Sequence, residues 1–164
     1  MAALTPGTPA PAISLKDSTG KSTTLAEQLQ KGPVLAAFFK VGCPTCQFTA
    51  PFLERMHELY GGLGFTLLGI SQDEARDTRD FMSEFGIKFP VLIDEHGYPA
   101  SNQYGLTNVP TVFLIAPDGK IQVSAVGFSK PDLEDIAAAA ARATRKAAAP
   151  LFRPGEVVPE YKPG

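Results

Sequence analysis

The sequence predicts an α/β protein in which helices cover both faces of a central sheet, and three stretches carry that expectation. Val34-Leu35-Ala36-Ala37-Phe38-Phe39 is apolar at every position, as a strand buried on both faces requires. Phe48, Phe52, Leu53, Met56, Leu59 and Tyr60 then recur at helical spacing until Gly61-Gly62 stops the pattern. Gly64-Phe65-Thr66-Leu67-Leu68-Gly69-Ile70 follows as a second buried strand, so the three pieces form a βαβ unit, whose crossover is right-handed in nearly all proteins.

The other elements fall around this unit. Prolines forbid regular structure from Leu4 to Pro11; Ile13-Ser14-Leu15 and Ser22-Thr23-Thr24-Leu25 then read as a hairpin about the turn Asp17-Ser18-Thr19-Gly20. A short helix is expected from Leu25 to Gln30, ended by Lys31-Gly32-Pro33. Pro51 lies inside the helix that follows the first buried strand and is expected to kink it. Asp73 to Phe85 reads as a polar-faced helix with Phe81, Met82 and Phe85 inward, stopped by Gly86, and Phe89 to Ile93 returns as a strand. After a short helix at Pro99 to Tyr104, Thr111-Val112-Phe113-Leu114-Ile115 and Ile121 to Val126 flank Pro117-Asp118-Gly119-Lys120 as a hairpin. The last helix runs from Lys130-Pro131-Asp132 to about Arg145, with Arg142, Arg145 and Lys146 suited to the negative end of its dipole. Residues 1–149 are expected to form one domain; Pro150, Pro154 and Pro159 leave 150–164 as an irregular C-terminal tail.

The only two cysteines, Cys43 and Cys46, fall where the first buried strand gives way to its helix. Two residues apart in a first helical turn, their Cα atoms are roughly 5 to 6 Å apart, inside the window of about 4.4 to 6.8 Å that a disulfide spans without backbone movement. Cys43 precedes the helix and faces its orphan N–H groups, where partial positive charge favours thiolate, while Cys46 lies one turn inside. Cys43 is thus the expected nucleophile and Cys46 the thiol that resolves a mixed disulfide. Pro44 suits the first helical position, and the Thr45 hydroxyl is expected near sulfur. The Lys40 ammonium, nearest in sequence, either favours the Cys43 thiolate or caps the strand in solvent.

Composition limits the partners. With 164 residues, 44% hydrophobic, the chain has apolar material for one core. A net charge of -2 gives no electrostatic case for nucleic acid or an anionic membrane surface. No apolar run approaches a membrane span, and Met1 to Thr8 has neither a basic nor an apolar leader region. A cytoplasmic place is expected of the chain as written, and a periplasmic one if a leader was removed. A zinc set of Cys43, Cys46, His57 and His96 lacks the short ligand spacing zinc needs, so no metal or other cofactor is expected. His57 is placed on the solvent side of its helix, and the dense charges from Asp73 to Asp80 read as a solvated face.

From about Pro9 to Ala143 the chain resembles the thioredoxin superfamily, within it the redoxin group of alkyl hydroperoxide reductase/thiol-specific antioxidant-like proteins and cytochrome-maturation thiol-disulfide oxidoreductases. The resemblance lies in Gly7-Thr8-Pro9-Ala10-Pro11, Phe38-Phe39, Cys43-Pro44-Thr45-Cys46, Pro51, Leu68-Gly69-Ile70-Ser71 and Tyr104 to Thr111. It implies a thioredoxin-like three-layer α/β/α sandwich, with the hairpin at its start and Asp73 to Ile93 as a central helix-strand insertion. It also implies a cis Val109-Pro110 bond, with Pro110 against the thiols and Val109 free to pair with an extended substrate. The chain departs from the pattern in carrying Gly42 where a tryptophan is usual, Ala37 where plain thioredoxin keeps a buried acid, and Thr49 where cytochrome-maturation proteins often have a glutamate. No residue is thereby assigned to accept the Cys46 proton.

The expected activity is thiol-disulfide exchange through Cys43 and Cys46 with a protein or small-molecule disulfide, the electrons coming from an unidentified thiol reductant. The alternative is hydroperoxide reduction through a sulfenic acid. Peroxiredoxins carry a threonine or serine three positions before the peroxidatic cysteine; here Lys40 precedes Cys43 by three, and Cys43 precedes Cys46.

Overall fold

In the computed structural model, which describes residues 2–164, the central sheet has five strands, two on either side of a middle one. The middle strand, β3 (Val34–Phe39), is buried at all six positions, as its unbroken apolar run requires. It runs parallel to β4 (Thr66–Ser71), which is in turn parallel to β5 (Val91–Ile93). On its other side β3 is antiparallel to β6 (Thr111–Ile115), and β6 pairs with β7 (Ile121–Val126). The hairpin β1 (Ser14–Lys16) and β2 (Ser22–Thr24) forms its own two-stranded sheet, tied to β5 where the Ser18 amide donates to the Val91 carbonyl at 2.9 Å; its turn is drawn tight by Asp17 Oδ1, which accepts from the Thr19 and Lys21 amides at 2.8 and 2.9 Å.

Successive side chains of a strand point to opposite faces, and β3 feeds two cores in this way. Leu35, Ala37 and Phe39 join the core that holds Met56 of α2 (Pro44–Tyr60), Phe81 of α3 (Ala75–Phe85), and Leu133 and Ile136 of α5 (Lys130–Thr144). Val34, Ala36 and Phe38 join the other, with Leu25 of α1 (Leu25–Leu29), Ala100 of α4 (Pro99–Gln103), Tyr104 and Phe113. The three layers follow, with α3 and β5 inserted between β4 and β6 as the family resemblance implies. Gly69 in β4 leaves room for the insertion to close down on the sheet: a Cβ there would sit 2.9 Å from Cε1 of Phe89. Helix α2 continues past Pro51, which is exposed.

Two features depart from the sequence reading. Phe128–Ser129 forms a short strand, β8, which pairs antiparallel with β9 (Tyr161–Lys162), inside the stretch expected to be irregular. The segment is also packed before it reaches β9. Leu151 is 3% exposed within the core of α2 and α5, and the Phe152 ring lies 4.9 Å from that of Phe52. Arg55 Nη1 donates to the Leu151 carbonyl at 2.7 Å, and its two terminal nitrogens reach both Glu156 oxygens, at 2.8 and 3.1 Å. The guanidinium holds the Glu156 carboxyl at about 2, below its usual range. One apolar pair between prolines has no periodicity, so its burial was hidden in the sequence.

Replacing Leu151 by alanine should cost about 3 kcal/mol, the scale of a core truncation, and lower the urea midpoint accordingly. Val157, fully exposed in the same segment, should tolerate alanine within about 0.5 kcal/mol. Equal, small effects at both positions would show that the segment is not part of the core.

Candidate active site

The site is built where β3 stops. After Phe39 the chain turns through Lys40, Val41 and Gly42, and Cys43 enters α2 as its N-cap with an extended backbone, φ -87° and ψ 116°. Pro44 takes the first turn, where its missing N–H leaves no bond unmade. The Cys43 sulfur accepts the Cys46 amide N–H at 3.2 Å, doing for this helix what a serine or aspartate oxygen does for most. A thiol in that position is aligned with the positive end of the helix dipole.

The turn before Cys43 is held from three sides. Lys40 O accepts the Cys43 amide at 3.3 Å, Asp73 Oδ2 accepts the Val41 amide at 2.8 Å, and Gln47 Nε2 donates to the Val41 carbonyl at 2.9 Å. Asp73 follows β4, the parallel neighbour of β3, so the carboxyl ends of two adjacent strands converge here, the usual place for sites in open α/β sheets.

From the other neighbour comes the proline loop. Phe38 is paired antiparallel with Thr111, which brings the start of β6 alongside the end of β3. The Val109-Pro110 bond is cis, Pro110 is buried beside Cys46, and the Val109 carbonyl accepts from the Cys43 thiol at 3.5 Å. The Thr111 hydroxyl donates to the Asn108 carbonyl at 2.7 Å and closes this loop on itself.

The two thiols are unequal. Both are free; Cys43 is partly exposed, and Cys46 is 2% exposed against Ala37, Phe39, Phe81 and Phe89. Burial pushes the Cys46 thiol well above its ordinary value near 9, and the hydrogen bond with Cys43 and the charges of Cys43 and Asp73 push the same way.

Thr45 and His57 sit elsewhere than the sequence suggested, while Lys40 takes the solvent placement, one of its two readings. The Thr45 hydroxyl turns from sulfur and donates to the Pro163 carbonyl at 2.7 Å. Lys40 is exposed, and its part in the site is its backbone carbonyl. His57 is half-buried rather than on the solvent side, its ring 6.2 Å from that of Phe89 and its Nδ1 buried without a partner. His96 stands in solvent beside Glu95. Asp73 was read as part of a solvated charge run, because nothing in sequence ties it to Val41.

Glu54 was readable and missed: it continues the inner face of α2 through Cys46, Ala50 and Leu53. It is 6% exposed; Oε1 accepts the Lys88 and Phe89 amides at 2.7 and 3.3 Å, and Oε2 is buried without a partner.

Comparison with known proteins agrees with this architecture. The AhpC/TSA family model matches residues 6–124. The thiol-disulfide oxidoreductase ResA of Bacillus thuringiensis is 31% identical over 122 residues, 74% of this chain and 69% of that protein. A thiol:disulfide interchange protein of the thioredoxin family from Chlorobium tepidum superposes with a TM-score of 0.69 at 30% identity, covering 85% of this chain and 99% of that one. The peroxidoxin BcpB of Mycobacterium tuberculosis superposes with a TM-score of 0.72 at 25% identity, covering 87% and 99%.

The buried thiol has a measurable signature. The folded, reduced protein keeps the Cys46 proton at pH values where the unfolded chain releases it, above about 9, so its stability falls as pH rises through that value. The slope is at most about 1.4 kcal/mol per pH unit, and the oxidised protein, which has no thiol to titrate, lacks it. Urea midpoints of both forms between about pH 8 and 10 should therefore diverge, with the reduced form losing ground. Parallel curves would contradict the burial of that proton.

Proposed function

This chain belongs to the AhpC/TSA family and is a thiol-disulfide oxidoreductase, and we propose that Cys43 and Cys46 carry its exchange reaction. The observation that supports this most directly is the asymmetry of the pair: a partly exposed sulfur capping a helix, with a buried thiol one turn behind it.

In the reducing direction the Cys43 thiolate attacks one sulfur of a substrate disulfide. That S–S bond breaks, a Cys43–substrate mixed disulfide forms, and the first substrate sulfur leaves as a thiolate that takes up a proton. Cys46 then gives up its proton and attacks the Cys43 sulfur, which releases the second substrate thiol and closes the Cys43–Cys46 disulfide. Two electrons have moved to the substrate, and a separate thiol reductant returns them by the same steps reversed. Burial keeps Cys46 protonated until the mixed disulfide presents it with a target, so the first step belongs to Cys43.

The remaining residues position and tune. Pro44 fixes where the helix begins and so aligns the sulfur with the Cys46 amide. Val109 and Pro110 form the wall against which a substrate disulfide is laid, next to the Cys43 sulfur. Thr45 lines the same face. Lys40 contributes its backbone carbonyl, which accepts the Cys43 amide and helps hold the turn. The substrate is a disulfide-bearing protein or small molecule. Among the described residues no helix is long and apolar enough to cross a membrane.

Likeness to the peroxidoxin keeps peroxide reduction as a second reading. There Cys43 would displace an alcohol or water from the peroxide to form a sulfenic acid, and Cys46 would condense on it with loss of water. The position three before Cys43 holds exposed Lys40 and supplies no hydroxyl to that peroxide, which favours disulfide exchange.

Cys43→Ser should reduce insulin or a dithiol disulfide no faster than buffer does, while Cys46→Ser should accumulate one mixed disulfide per chain, seen by mass spectrometry. Stopped-flow rates of the reduced protein with hydrogen peroxide and with an oxidised dithiol decide between the readings. Faster reaction with the disulfide is expected, and a much faster peroxide reaction would reverse the assignment.

A further inference from the structure

Residues 160–164 run extended along the face that carries Thr45 and Val109. Glu160 O accepts the Lys130 amide at 2.9 Å, and β9 then pairs with β8, Lys162 opposite Phe128. The Lys162 ammonium lies 5.3 Å from the centre of the Phe48 ring on α2. Pro163 O takes the Thr45 hydroxyl, from a residue lying between the two cysteines. Gly164 then meets Val109 so closely that a Cβ would collide with the carbonyl oxygen that receives the Cys43 thiol. A length of extended backbone therefore reaches the proline loop itself.

This segment is held differently from the one before it. Leu151 and Phe152 are fixed in the core and Val158 still packs against it, whereas residues 159–164 lie mostly in water, with Tyr161 55% exposed and only Lys162 half-buried, over Phe48. What holds 160–164 is chiefly backbone pairing, with one hydroxyl, one cation over a ring and a 4.0 Å ion pair between Lys130 and the exposed Glu160. Backbone pairing of this kind is available to any extended polypeptide, because it makes no demand on side chains beyond a small residue where Gly164 meets Val109.

We propose that residues 160–164 occupy the groove in which a substrate polypeptide is bound, so that the preferred partner is an extended, cystine-bearing peptide segment that must displace this strand before its disulfide reaches Cys43. The proposal rests on Cys43 as the nucleophile and adds the substrate class and an internal competitor. Small disulfides reach the partly exposed sulfur without displacing the strand.

Removing residues 160–164 leaves the Leu151–Phe152 anchor in place, and circular dichroism verifies the fold. With the strand gone, the second-order rate constant toward an unstructured peptide carrying a disulfide should rise at least about five-fold, the reciprocal of the fraction of time the groove is open. The rate toward an oxidised small dithiol should change less than about two-fold, because it needs no groove. A synthetic peptide of residues 159–164 should slow the truncated protein's reaction with the peptide substrate and leave its reaction with the dithiol unchanged. Gly164→Ala in the full chain, which crowds Val109, should show part of the gain. Unchanged peptide rates in both variants, or equal gains on peptide and dithiol, would overturn the competitor. Loss of exchange with both substrates in the unmodified protein would overturn Cys43 as nucleophile and this proposal with it.

Discussion

The structure depends on where one helix begins. Cys43 sits at the join of β3 and α2, and its sulfur satisfies a helix amide that would otherwise be orphaned, so the same contact caps the helix and orients the reactive atom. The join cannot drift, because β3 is buried on both faces and paired on both edges. Its parallel neighbour delivers Asp73 to the turn and its antiparallel neighbour delivers the cis proline loop. A sheet that changes direction at its middle strand is what allows the carboxyl end of one strand and the amino end of another to meet at a single pair of sulfurs.

The parts of this arrangement that depend on local pattern were readable from the sequence. An apolar run with no alternation gave the central strand, helical spacing gave α2, and Pro117-Asp118-Gly119-Lys120 marked the β6-β7 hairpin. The spacing of the cysteines, set against the strand-helix junction, marked the candidate site. Family resemblance supplied the cis bond, which no periodicity encodes.

What escaped is contact between segments far apart in sequence. Asp73 reaches Val41 across 32 positions, and Thr45 reaches Pro163 across 118. Each is one hydrogen bond from a residue whose neighbours look solvated or disordered, so no local pattern distinguishes it from surface. Leu151 and Phe152 were lost for the same reason, since two apolar residues among prolines make no stripe. Glu54 differs: its place on the inner face of α2 follows from counting turns, and a carboxylate in an apolar stripe is itself a sign of a buried partner, here the amides that lead into β5.

The nearness of Cys43 and Cys46 along the chain has a consequence for the whole molecule. A covalent link that encloses four residues withdraws only roughly 2 kcal/mol of freedom from the unfolded chain, against about 4.7 for one enclosing a hundred. Bridging therefore adds less than half of what a long-range link would, and opening removes no more than that. Closing the ring gives up two electrons and opening it takes them back, and the loop involved is too small to act as a girder.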